Sequence, residues 1–268
     1  MARILDYTGT ERERTTTVAE LQGLRSDGRR LVQTTAGSVE EAAAAEAAGI
    51  DMIACLGQAV PDVRQGTGRL FVSAAIDFNG AVTADELLGD AFAALEAGAD
   101  MVITARGLPC VELLASEDLP VMGHLGFVPK KSTLYGGVRT IGHTVDEATT
   151  LLDDFRRLED AGARAVECEL ITANLMAAIQ ERTGLVTISL GSGPSADVLF
   201  LFQNDVCGES PRTPRHARAY GDVASLQQQI RDERVSALSA WRTDVESGGF
   251  PAAGETSLSP DDVIAALS

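Results

Sequence analysis

Three segments of this chain repeat one order of residues, and that order restricts the fold more than any other feature. Ser38-x-x-Glu41, Thr83-x-x-Glu86 and Thr144-x-x-Glu147 each match the capping box that opens a helix. Each is followed by a glycine, Gly49, Gly98 or Gly162, suited to the left-handed position that closes one. An apolar run begins at once afterwards, at 50–56, 99–104 and 163–170. After Thr144, the residues Ala148, Leu151, Leu152, Phe155 and Leu158 fall on one stripe, as on a helix that covers a sheet.

Further apolar runs at 30–34, 70–76, 120–124, 185–190 and 198–203 complete a set of eight. Nearly continuous apolar strands alternating with helices imply a parallel sheet buried on both faces. Eight such units predict an α/β fold, a (β/α)8 TIM barrel; a doubly wound open sheet is the alternative. The second crossover is shortened, because only residues 58–69 separate two strands that ordinarily need a helix between them. Residues 61–64 leave room for one short helical turn, so the barrel wall should be thin there. One domain over 1–268 is expected, with the barrel at about 28–208 and a C-terminal helical extension at about 214–268. That extension should hold a helix over 223–246 and a last one capped by Ser259, with Pro260 in its first turn.

Charge and composition remove several function classes. A net charge of −17 is the wrong sign for a nucleic-acid partner. No apolar run approaches the roughly 18 residues of a membrane span, and the N-terminus lacks a charged-then-apolar signal segment. Four cysteines without a CxxC pair, of which Cys55 and Cys168 lie in strand-like runs, read as buried free thiols. A cytoplasmic enzyme fits these features. Lys130 and Lys131 are the only lysines, both in the loop after His124. Arginine stays protonated and cannot form a Schiff base, so a lysine-imine aldolase with its lysine in a barrel strand is not expected.

The chemistry-bearing residues gather at predicted strand ends. The run 121–126 stops at His124 and a glycine turn, and a long loop through Tyr135-Gly136-Gly137 leads to Gly142 and the next helix. Glu169 stands near the end of an otherwise apolar strand, where an acid needs a reason. Glu167 shares its face by strand alternation, and Asp77 shares a face with Ala75. Plainer readings exist: His124 tethering its loop, Glu169 in an ion pair beneath a loop, Asp77 capping a loop, and Glu167 paired with Arg106 or Arg139.

A longer series of motifs can be followed in order. It comprises Gly-His-Leu-Gly at 123–126, Tyr135-Gly136-Gly137, Ala-Gly-Ala at 161–163 before the strand of Glu169, and Gly191-Ser192-Gly193. Asp205-Val206-Cys207-Gly208, the stretch from Pro214 to Tyr220 and the tail at 244–251 complete it. Together, over about 28–257, the chain resembles the ketopantoate hydroxymethyltransferase family, of the phosphoenolpyruvate mutase and isocitrate lyase superfamily of barrels. The resemblance implies a homo-oligomer that adds a hydroxymethyl group from methylenetetrahydrofolate to a branched 2-oxo acid. It also implies a magnesium ion that chelates the keto acid and a glutamate that removes the proton beside the carbonyl. It sets Glu169 at the position of that base, and His124 at the histidine ending the fifth strand.

The metal half of the family's site does not carry over. The family's Gly-Asp-Ser is Leu56-Gly57-Gln58 here, its Ala-Asp-Leu-Pro-Phe is Ala74-Ala75-Ile76-Asp77-Phe78, and its Lys-Ile-Glu is Ile103-Thr104-Ala105. Gly57, Ala75 and Ala105 supply none of the oxygen ligands that magnesium demands. Asp77 and Glu167 are the candidate replacements, forming with Glu169 a displaced acidic cluster that binds a divalent ion or keeps one carboxyl protonated. Arg106 and Arg139 are candidates to hold a substrate carboxylate through their forked donors, with Gln58 and Thr35 as further substrate-binding candidates. Three functions follow: a hydroxymethyltransferase-like, aldol-type enzyme on a 2-oxo acid with Glu169 as base, distinct from ordinary magnesium-dependent ketopantoate synthesis; a carbon–carbon lyase or hydrolase on the same scaffold; or a non-catalytic descendant that binds a metabolite or partner.

Overall fold

Eight parallel strands close into a barrel. A computed structural model describes residues 2–76 and 82–267. The chain begins with a hairpin, β1 (Ala2–Leu5) and β2 (Glu11–Arg14), and helix α1 (Val18–Asp27). The barrel strands follow as β3 (Leu31–Thr35), β4 (Met52–Leu56), β5 (Phe71–Ala75), β6 (Met101–Ile103), β7 (Val121–Gly126), β8 (Ala165–Glu169), β9 (Val186–Leu190) and β10 (Val198–Leu201). They pair in sequence order, and β10 returns to β3. Between them run α2 (Val39–Ala47), α3 (Val60–Gly66), α4 (Ala84–Glu96), α5 (Leu108–Ser116), α6 (Val145–Asp160) and α7 (Ala173–Gln180).

The capping residues act as the sequence predicts. Ser38, Thr83 and Thr144 each accept a hydrogen bond from the backbone N–H three residues on, and open α2, α4 and α6. Gly49, Gly98 and Gly162 adopt positive φ just past the ends of the same helices. Leu151, Phe155 and Leu158 of α6 are buried, each contributing about 1.5–3 kcal/mol of burial free energy. Strand alternation then separates two cores. Val72, Val121, Val166 and Cys168 pack outward against the helices, while Met52, Phe71, Met122, Ala165, Ile188 and Val198 fill the interior. Leu21 and Leu24 of α1 join the interior cluster, which is contiguous with this helix preceding the first barrel strand.

Three features depart from the sequence reading. The short second crossover holds more than a single helical turn: a 3-10 turn at Gly57–Ala59 runs directly into α3, and Val60 and Val63 are fully buried. The cause is Gly66, where a Cβ would lie 2.2 Å from the Val39 carbonyl oxygen, so only glycine lets α3 press onto α2. At the C-terminus the last helix, α10 (Asp261–Ala265), starts one residue later than expected. Pro260 occupies its N-cap with extended backbone and Ser259 does not cap it. The hairpin was not expected, because its Glu-Arg-Glu-Arg strand shows no apolar alternation. Its one buried side chain, Arg14, donates to Asp100 at 2.7 Å and to the Gly68 carbonyl. Arg64 donates to the other oxygen of Asp100.

No helix separates β9 from β10, which residues 191–197 connect. After β10 come the four-residue α8 (Gln203–Val206) and then α9 (Val223–Ser247), 25 residues long and exposed along its length. Val32, on the outward face of β3, is correspondingly 46% exposed. Among the described residues no helix is long and apolar enough to cross a membrane. The four cysteines are free, with Cys55 and Cys168 buried.

Candidate active site

The ends of β7 and β8 bring three predicted residues together. Their register pairs His124 with Glu167 and Gly126 with Glu169. Met122 and Ala165 belong to the interior core, so alternation turns His124, Glu167 and Glu169 inward as well. His124 Nε2 lies 3.0 Å from Glu169 Oε2 and 3.9 Å from Glu167 Oε1. All three side chains are nearly buried. Burial pushes the Glu167 carboxyl above its ordinary range; His124 opposes that rise and Glu169 adds to it.

Backbone geometry fixes this rim. Gly126 has φ +88°, and the Phe127 N–H then donates to the Glu169 carbonyl at 2.8 Å. Leu170 has φ +49°, an uncommon conformation for leucine, and it turns the chain sharply just beyond Glu169. Ser192, within the Gly-Ser-Gly motif, locks that turn: its hydroxyl accepts from the Ile171 N–H and donates to the Cys168 carbonyl. The loop between His124 and α6 folds back on the same end, with Tyr135 packed on Phe127 and Ile141 bridged to Ile171.

The other candidates lie apart from this cluster. Arg139 bonds Glu147, which also accepts from the N–H groups of Gly142 and His143; these contacts hold the Glu147 carboxyl down at about 2. Arg106, half-buried after β6, donates to the Val82 carbonyl. Thr35 ends β3 and accepts from the Gln203 N–H, and Gln58 is exposed in the turn after β4. Asp77 lies outside the described residues. Leu56 and Ala75 are register partners and Gly57 follows at once, so Gly57 and Ala75, which the resemblance aligns with the family's magnesium ligands, carry no side-chain oxygen. Gly57, Ala75 and Ala105 do not themselves fit magnesium, which demands oxygen ligands.

Two interior residues were missed. Gln33 is 1% exposed, and neither its carbonyl oxygen nor its amide nitrogen has a hydrogen-bond partner among the described residues. Ser73 lies on the inward face of β5. The available signal was phase: Gln33 lies two residues from Leu31 and from Thr35 and shares their face, which places a polar side chain inside the barrel. A cleft at the opposite, N-terminal end is lined by the hairpin, Arg14 and Asp100, whose charges are already paired.

Comparison with known proteins agrees with this architecture. The family described as ketopantoate hydroxymethyltransferase matches residues 57–253. The 3-methyl-2-oxobutanoate hydroxymethyltransferase of Pyrobaculum islandicum is 36% identical over 171 residues, which span 63% of this chain and 63% of that relative. The enzyme of that name from Gluconacetobacter diazotrophicus is 31% identical over 279 residues, covering 94% of this chain and 98% of the other. A solved 2,3-dimethylmalate lyase, a PEP mutase/isocitrate lyase superfamily member, shares the fold with a TM-score of 0.56 at 12% identity; it covers 91% of this chain and 99% of that one. The family match takes in the rim from the end of β4 onward, and one relative aligns over nearly the full length. On those grounds this chain belongs to the ketopantoate hydroxymethyltransferase family, a family of hydroxymethyl transferases.

Proposed function

We propose that this chain carries out aldol-type hydroxymethyl transfer onto a branched 2-oxo acid such as 3-methyl-2-oxobutanoate, with Glu169 as general base. The 3.0 Å contact between Glu169 and His124 at the strand ends supports this reading most directly. A C–H bond beside a carbonyl breaks readily only if a positioned base receives the proton as the electron pair moves toward the carbonyl oxygen. With its Nε2 protonated, neutral His124 donates to one oxygen of Glu169 and orients the carboxylate. The second oxygen is then left to take the proton from carbon. Burial excludes water and keeps that carboxylate reactive. Methylenetetrahydrofolate, implied by the family, would supply the one-carbon unit; Glu169 and His124 perform the enolising half-reaction that precedes it.

Proton exchange tests the proposal. In deuterated water without folate, the chain should exchange the C3 hydrogen of 3-methyl-2-oxobutanoate, followed by NMR. Silence across a panel of branched and linear 2-oxo acids would overturn it.

The same proposal includes self-assembly in a reducing compartment, the cytoplasm. Leu226, Ile230, Leu238, Trp241 and Val245 leave an exposed apolar stripe along α9, and Val32 is exposed on the outward face of β3. A second copy of the chain suits both surfaces. Four free thiols suit the compartment.

A further inference from the structure

The inward ends of β7 and β8 carry a donor set of their own, His124, Glu167 and Glu169. We propose that His124 Nε2, with one carboxylate oxygen each from Glu167 and Glu169, binds a single borderline divalent ion of the zinc class, and that its binding withdraws Glu169 from proton abstraction.

The geometry carries this. The three donor atoms lie within 4.8 Å of one another. Bonds of about 2.0–2.2 Å in a tetrahedral site set ligand atoms about 3.4 Å apart. The 3.0 and 3.9 Å separations from His124 Nε2 bracket that value, so small side-chain rotations would close the site. Two observations beyond the clustering point to a bound cation. Glu167 is nearly buried between two ionisable neighbours, His124 at 3.9 Å and the like-charged Glu169, whose donor oxygen lies within 4.8 Å. Two carboxylates held this close in a nearly buried site repel one another unless a cation or proton compensates them. Gln33 projects into the same barrel interior with both amide atoms unpartnered, a second polar group there that the described residues leave unsatisfied.

Donor chemistry selects the ion. An imidazole nitrogen with two carboxylates suits zinc, cobalt or manganese, whereas magnesium prefers an all-oxygen octahedron. Three ligands among the described residues are the number that catalytic zinc sites take from protein. The competition arises because a Glu169 oxygen bonded to the ion no longer serves as a base.

Calorimetric titration of the chelator-stripped full-length chain with zinc chloride tests the site. One ion per chain at micromolar or tighter Kd is expected, magnesium should not compete, and Glu167→Gln should bind at least about 100-fold more weakly. Stoichiometric zinc should also stop the C3 exchange reaction. Absence of zinc binding by the wild-type chain, or undiminished binding by folded Glu167→Gln, overturns the proposal. If that variant does not fold, cobalt(II) titration of the wild-type chain decides instead: the visible bands of a four- or five-coordinate ion with an imidazole ligand support the site, and an aqua-ion spectrum refutes it. Zinc binding is read without substrate, so failure here leaves Glu169 as base untouched, and failure of the exchange assay leaves the binding result standing.

Discussion

Replacing Gly126 with alanine tests how the fold builds the rim. Gly126 sits at φ +88°, where a side chain costs about 1–2 kcal/mol. A Cβ there would stand 2.3 Å from the Glu169 carbonyl oxygen and 2.8 Å from Ile171 Cγ1. That oxygen cannot retreat freely, because it accepts from Phe127 N–H at 2.8 Å. Overpacking of this kind adds about 1–3 kcal/mol, for a total of about 2–5 kcal/mol. At about 2–4 °C per kcal/mol for a domain near this size, Tm should fall by about 4–20 °C in a calorimetric scan. Gly136→Ala is the control, since Gly136 also has positive φ, +75°, but its Cβ would meet nothing within 4 Å. It should lose only the conformational part. Equal losses in the two variants would refute the claim that close approach of β7 to the Glu169 carbonyl shapes the site.

Other predictions follow from burial and charge. Asp100→Ala leaves Arg14 and Arg64 without their shared carboxylate, and should cost about 3–5 kcal/mol in denaturant titration. A loss below about 1 kcal/mol would deny the ion cluster its role. Glu167 has a raised folded-state pKa, so its contribution is most favourable below its unfolded value of 4.5 and is lost as pH rises through the folded one. In chelator, Glu167→Gln should therefore raise Tm at pH 8 and change it little near pH 4; the reverse order would contradict the assignment. Trp241→Glu on α9 should reduce the assembly seen by light scattering while leaving the barrel's circular dichroism intact, and an unchanged mass would remove α9 from the interface.

The legible parts of the fold were those written in local chemistry. Ser38, Thr83 and Thr144 cap helices through residues three positions away, and Gly49, Gly98 and Gly162 end them through their own backbone freedom, so the cassette could be read directly. The extent of α3 was hidden, because what admits it is the approach of Gly66 to Val39, a contact between two helices. Arg14 was hidden for the same reason, since its partner Asp100 lies 86 residues away. In the site, alternation put Glu167 on the face of Glu169, and the parallel order of β7 and β8 brought His124 to both. Arg139 read as a candidate substrate ligand because its forked donors match a carboxylate; the fold shows them bonded to Glu147. Gln33 passed unnoticed as one polar residue in an apolar strand, although its phase pointed inward.

The central claim is that Glu169 removes a proton from carbon. Its most direct test is the initial rate of C3 deuterium incorporation into 3-methyl-2-oxobutanoate by wild-type chain and Glu169→Gln, both chelator-treated. The amide keeps the shape and the contact with His124 but loses basicity, so the rate should fall about 10²–10⁴-fold with the fold retained by circular dichroism. A Glu169→Gln chain that exchanges at the wild-type rate would contradict the account.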